Sequence, residues 1–154
     1  MPPMNNQPKI RVAILDLYEG QPNQGMRCLR EILDQYGLDH GLELTRDEFE
    51  VRLENKVPHL SYDIYISSGG PRSPLESENS VWENNYFQWL AGLERYNESA
   101  SIRKHVLFIC HSFQLACRYY DIAEITLRKS TAFGVFPVHL QEDGKREPVF
   151  AMQP

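Results

Sequence analysis

Two stretches of the chain combine residue types that do chemistry. In the first, the apolar run Val106-Leu107-Phe108-Ile109 meets Cys110 and His111, then continues at helical spacing through Leu115, Ala116 and Cys117. A buried parallel strand that turns sharply into a helix reads this way, with a reactive side chain at the corner. A cysteine at such a corner stands above the sheet, where the first amides and the dipole of the helix favour thiolate. The same residues fit a buried cysteine in a core strand, and on this stretch alone both readings stand. In the second, the short strand Tyr62–Ser67 runs into Ser68-Gly69-Gly70-Pro71-Arg72-Ser73-Pro74. Two glycines and a proline at a strand end make a tight loop with exposed amides. Such amides accept an anion or polarise a carbonyl, though an ordinary turn has the same residues.

Both stretches need strands beneath them. Residues 10–17 (Ile-Arg-Val-Ala-Ile-Leu-Asp-Leu) are a nearly continuous apolar run, as in a parallel strand covered on both faces. Turn formers follow, then Met26, Leu29, Leu33 and Tyr36 predict a helix that stops at Gly37. From 42 to 57, Phe49, Val51 and Leu53 alternate with charges, which predicts a half-exposed strand near a sheet edge. A helix from Thr45, with Glu48 in capping-box position, is the alternative. Residues 81–96 predict a helix whose stripe of Trp82, Tyr86, Trp89, Leu90 and Leu93 reads as core, and 97–104 a polar connector. Further strands are expected at 122–128 and 135–140, a turn at 142–145, and the start of one more strand at 149–152. The alternation implies an α/β domain with a mostly parallel sheet and helices on both faces. Ligands of such sheets bind outside the carboxyl ends of the strands. Cys110 and Ser68-Gly69-Gly70-Pro71 both fall at such ends.

Composition narrows the classes. The chain has 154 residues, 42% of them hydrophobic and 24% charged, which suits one globular domain. The net charge of −5 and the lack of a basic stripe argue against nucleic acid. No apolar run reaches the ~18 residues of a membrane span, and residues 1–8 form a polar tail without signal-peptide character. Three cysteines without a secretory signal fit the cytoplasm better than a disulfide scaffold. No histidine and cysteine cluster has zinc spacing, so neither metal nor cofactor is expected.

Taken together, these residues resemble a class I (triad) glutamine amidotransferase domain, GMP synthase-like. The residues that carry the resemblance are the β-loop-α opening from Ile10, the stretch Ser68-Gly69-Gly70-Pro71-Arg72-Ser73-Pro74, and Cys110-His111-Ser112-Phe113-Gln114-Leu115. The glycine loop is similar to the family's oxyanion motif Ser-Gly-Gly-Pro-x-Ser-Pro. The cysteine stretch is similar to the nucleophile motif Gly-x-Cys-x-Gly-x-Gln. The resemblance covers essentially residues 9–154, read as the N-terminal part of the domain, and implies its three-layer, flavodoxin-like fold. It implies Cys110 as nucleophile, the amides of Gly70 and His111 as oxyanion hole, and Gly69 and Gln114 as contacts to the substrate L-glutamine. The implied partner is a synthase domain or subunit that accepts ammonia.

The chain departs from the pattern at three places. Phe108 and Ser112 stand where the family has glycines, so the elbow packs differently or the pocket is altered. The family's His-x-Glu dyad has no match after Cys110: His139 comes too early, and Gln141 stands two residues beyond it. On that pattern the chain reads as truncated before the dyad, and inactive alone for want of a base. His111 should point away from the nucleophile, His105 lies at the wrong end of its strand, and His40 and His59 fall in expected loops. Cys28 and Cys117 are expected as packing residues within helices. Two alternatives follow from the departures: a γ-glutamyl hydrolase of the same fold, and a non-catalytic amidotransferase-like binding module.

Overall fold

The computed structural model describes residues 8–130 and 134–151. Four parallel strands form one sheet in the order β2-β1-β3-β4. They are β1 (Lys9–Asp16), β2 (Glu43–Glu50), β3 (Ile64–Ser67) and β4 (His105–Phe108). Helix α1 (Gln24–His40) joins β1 to β2, and α2 (Val81–Ser99) joins β3 to β4. Helix α3 (His111–Tyr119) follows β4, and two single-turn helices, α4 (Glu142–Lys145) and α5 (Pro148–Ala151), come last. The expected α/β fold with a parallel sheet is what the chain adopts.

The layers follow from the alternation along β1. Val12 and Ile14 point to one face, where Met26, Leu29 and Leu33 of α1 cover them. Ala13 and Leu15 point to the other, against Tyr86, Trp89, Leu90 and Leu93 of α2 and Leu115 of α3. The aromatic stripe of α2 is therefore core, each such side chain contributing about 1.5–3 kcal/mol of burial. Chain order reverses between β2 and β3, which lie on opposite sides of β1. That reversal opens a crevice at the carboxyl ends of β1 and β3, where ligands of parallel sheets bind.

Helix α1 begins where Asn23 accepts a hydrogen bond from the Met26 amide at 2.7 Å. It does not stop at Gly37. Gly37 is a buried helical residue, and a β-carbon there would touch Leu42 O and Leu44 Cβ at 3.4 Å each. The stop is Gly41, at φ 60°. Residues 43–50 are the expected edge strand rather than a helix from Thr45. Helix α2 runs three residues into the expected polar connector.

The largest departures follow α3. Residues 122–128 and 135–140 are irregular, not strands, and Ile122, Leu127, Val135 and Val138 are exposed. Strand propensity expresses side-chain packing on a pleated, half-buried surface, and neither segment lies on a sheet face. Residues 142–145 form a helical turn, closed by Lys145 on Glu142, and 148–151 a second one in place of the expected strand, whose last residue, Met152, lies outside the described residues. Most of the expected tail, 1–7, also lies outside them. Cys117 is buried as expected, but Cys28 is exposed.

Candidate active site

Cys110 sits between β4 and α3 with φ 52° and ψ −104°. That backbone region is strained for a residue with a β-carbon. The side chain is exposed at the carboxyl end of β4. His111 is the first residue of α3, so its N–H has no partner within the helix.

Ser112 explains how the elbow closes without the glycine of the motif. Its hydroxyl is fully buried and donates to Ser67 O at 2.7 Å, while the Ile109 amide donates to it at 2.9 Å. The end of β3, the elbow and α3 are thus tied through one oxygen. Phe108 packs against the core under α2. Both departures from the motif have packing causes.

The loop after β3 is held just as firmly. The Leu17 N–H donates to Ser68 Oγ at 2.9 Å, and Ser68 Oγ donates to Gly69 O at 2.8 Å. With its carbonyl bound inward, the trans Gly69–Gly70 peptide turns the Gly70 N–H the other way. Glycine is required at 70, since a β-carbon would lie 2.5 Å from Leu17 O. Gly69 lies against Cys110: a β-carbon there would be 3.5 Å from Cys110 Cβ. The loop after β3 and the elbow after β4 therefore meet at Gly69 and Cys110.

Arg52 was not singled out in the sequence, yet it anchors this loop. Its buried guanidinium donates to Pro71 O at 2.8 Å and Leu17 O at 3.3 Å and pairs with Glu19 at 3.2 Å. It also lies over the Trp82 ring, 5.1 Å from the centroid. A second anchor is the ion pair of Arg118 and Glu83 at 2.6 Å, with Glu83 2% exposed. Arg118 also donates to Pro74 O at 3.0 Å, and Ser77 Oγ donates to Glu83 at 2.6 Å. Neither Arg52, in a charged alternating segment, nor Arg118, within an otherwise uncharged helix, carries a sequence signal for such a role.

The His111 ring is buried, 6.5 Å from the Trp82 ring between centroids. Its Nδ1 lies 3.3 Å from Arg72 O, so Nδ1 carries the proton and Nε2 is an acceptor without a partner. Burial, and then the Arg52 charge, push its pKa down to about 4. His105 lies at the opposite end of β4, and His40, His59 and His139 are exposed. No described hydrogen bond joins a histidine to Cys110. Gln114, one turn after Cys110, is exposed; with Arg72, Ser73, Pro74 and Phe113 it lines a cavity of about 430 Å³. A smaller cavity of about 170 Å³, lined by Tyr18, Cys28, Leu29 and Gly69, lies on the α1 side of the loop. Among the described residues no cluster could hold a metal ion, and no helix is long and apolar enough to cross a membrane.

Comparison with solved structures finds a glutamine amidotransferase from Thermotoga maritima. The two align with a TM-score of 0.51 and 19% identity, over 71% of this chain and 42% of that one. The chain thus spans less than half the length of that structure. A scan against protein-family models found no match, and a search of curated proteins found none. At this identity the likeness is one of fold: the chain has the α/β fold of a glutamine amidotransferase.

Proposed function

We propose that the chain is the glutaminase part of a class I, GMP synthase-like glutamine amidotransferase. The observation that carries this reading is the strained, exposed Cys110 at one strand end beside the Gly69-Gly70 loop of the next. The Cys110 sulfur attacks the side-chain amide carbon of L-glutamine. The carbonyl electron pair moves to oxygen, where the N–H groups of Gly70 and His111 receive it. Collapse breaks the carbon–nitrogen bond, releases ammonia and leaves a γ-glutamyl thioester, which water hydrolyses. Gly69 forms the wall beside the sulfur, and Gln114 reaches the substrate from the first turn of α3.

Ammonia must take up a proton as it leaves, and the described residues offer no base at Cys110. The His-x-Glu pair implied by the resemblance has no counterpart between Cys110 and Pro154, so the reaction as proposed needs a base from outside these 154 residues. The ammonia passes to a synthase domain or subunit. Three free cysteines fit a cytoplasmic setting.

Because Phe108 and Ser112 have packing roles, neither argues for the altered pocket of a γ-glutamyl hydrolase. A non-catalytic module would have no need of a strained cysteine at φ 52°. Incubation with 6-diazo-5-oxonorleucine, followed by peptide mass spectrometry, tests the reading. One adduct on Cys110 is expected; a folded protein that stays unlabelled in the presence of its base-supplying part overturns it.

A further inference from the structure

We infer that the cavity over α3 reads the α-amino acid end of the substrate, with Arg72 and Arg128 taking its carboxylate and Glu124 its ammonium. The inference rests on the nucleophile reading above and says what would make that nucleophile select an amino acid. The cavity, of about 430 Å³, lies between the glycine loop, α3 and the irregular residues 123–128. Its α3 wall runs from Phe113 and Gln114 to Cys117. At about 1.5 Å per residue, those positions stand roughly 5–10 Å along the helix from Cys110. A glutamine whose amide carbon stands about 3 Å from the sulfur has its α-carboxylate about 8 Å away, since three carbon–carbon bonds separate the amide carbon from the α-carbon. A glutamine laid along α3 therefore puts its charged end in this cavity.

The charged side chains that line the cavity are Arg72, Glu124 and Arg128. Two cations and one anion suit a zwitterion. The surplus positive charge draws a carboxylate, while Glu124 draws the ammonium beside it and repels a bare anion. A guanidinium presents a planar fork that matches a carboxylate, and an ammonium needs an acceptor. Glu124 and Arg128 are exposed, and neither takes part in a described hydrogen bond or ion pair, so both are free for a ligand. Arg72 pairs with Glu19 through Nε, at 3.7 Å. The backbone beneath these residues is held. Arg72 has φ 67°, an uncommon conformation for a residue with a β-carbon. It is pinned by the His111 ring, 3.3 Å from its carbonyl, and by Arg52 on Pro71 O at 2.8 Å. The Ile122 amide donates to Cys117 O at 3.1 Å, which ties the start of the 123–128 wall to α3.

NMR titration of the Cys110→Ala chain, which cannot turn substrate over, reads the affinities of three amides. L-glutamine has both charged groups, glutaramate lacks the ammonium, and 4-aminobutanamide lacks the carboxylate. Adding Arg128→Gln should weaken glutamine and glutaramate about tenfold and leave 4-aminobutanamide unchanged. Arg72→Gln should do the same. Glu124→Gln should weaken glutamine and 4-aminobutanamide by a similar factor and spare glutaramate. Because Arg128 and Glu124 are exposed and without partners, their variants should keep the parent spectrum. Unchanged glutamine affinity in the Arg128 or Glu124 variant overturns the inference. So does an equal loss for all three amides, the mark of a collapsed cavity, or a Cys110→Ala chain that binds no glutamine. The nucleophile reading fails separately, if 6-diazo-5-oxonorleucine leaves the wild-type Cys110 unmodified whatever these variants bind.

Discussion

Replacing Cys110 by glycine should make the protein more stable than replacing it by alanine. At φ 52° and ψ −104° a β-carbon is strained, which costs about 1–3 kcal/mol. Alanine keeps that β-carbon and glycine removes it. Against the relief stands glycine's extra freedom in the unfolded chain, about 0.5–1 kcal/mol. The Cys110 side chain is exposed, so neither change empties the core. The difference should be about 1 kcal/mol in favour of glycine, or roughly 2–4 °C in Tm for a chain of this size. Urea unfolding of the two variants, fitted with a common slope, measures it. Alanine equal to or more stable than glycine would refute the claim that the elbow is strained, and with it the main structural support for a nucleophile here. Both variants should lose labelling at position 110, which separates the stability effect from the chemistry.

Three further outcomes follow. Ser112→Ala removes the buried hydroxyl that ties Ser67 O to the Ile109 amide, and should cost about 1–3 kcal/mol in urea unfolding. Glu83→Gln breaks the buried pair with Arg118 and should cost about 3 kcal/mol; combined with Arg118→Met the loss should fall short of the sum of the single losses. His111 ties stability to pH. Its folded pKa of about 4 lies below the ordinary 6.5, so between those values only the unfolded chain takes up the proton. Stability should therefore decline as pH drops through this window, by at most about 1.4 kcal/mol per pH unit from this group, and the contribution is flat above and below it. His111→Gln should lack that share of the slope when urea midpoints are compared at pH 7 and 5.

What could be read beforehand divides along physical lines. β1, α1, α2 and the elbow were legible because their apolar residues recur with the period of a buried strand or helix. Gly37 looks like a stop from its neighbours alone, yet the helix runs on to His40 and the left-handed residue that ends it is Gly41. The segments after Tyr120 carry strand-like apolar runs, but a strand exists through its neighbours, and these have no sheet to join. In the site, Cys110 and the two glycines announce themselves by type and spacing. Arg52 and Arg118 do not, because their roles arise from separations of many residues that only the folded sheet closes.

Those late-found residues explain why the glycine loop presents amides at all. The loop from Ser68 to Pro74 has seven carbonyls but only five N–H groups, since Pro71 and Pro74 have none, and nothing in its sequence says which of them face Cys110. The structure decides it by binding carbonyls elsewhere. Ser68 Oγ takes Gly69 O, Arg52 takes Pro71 O, His111 lies against Arg72 O, and Arg118 with Ser77 takes Pro74 O. With these acceptors taken up by donors, the peptide planes of the loop are set. Cations suit this task, since a buried guanidinium offers several donors to carbonyls and none of its own acceptors. A loop of this kind is held from behind, by side chains that reach its carbonyls from other elements.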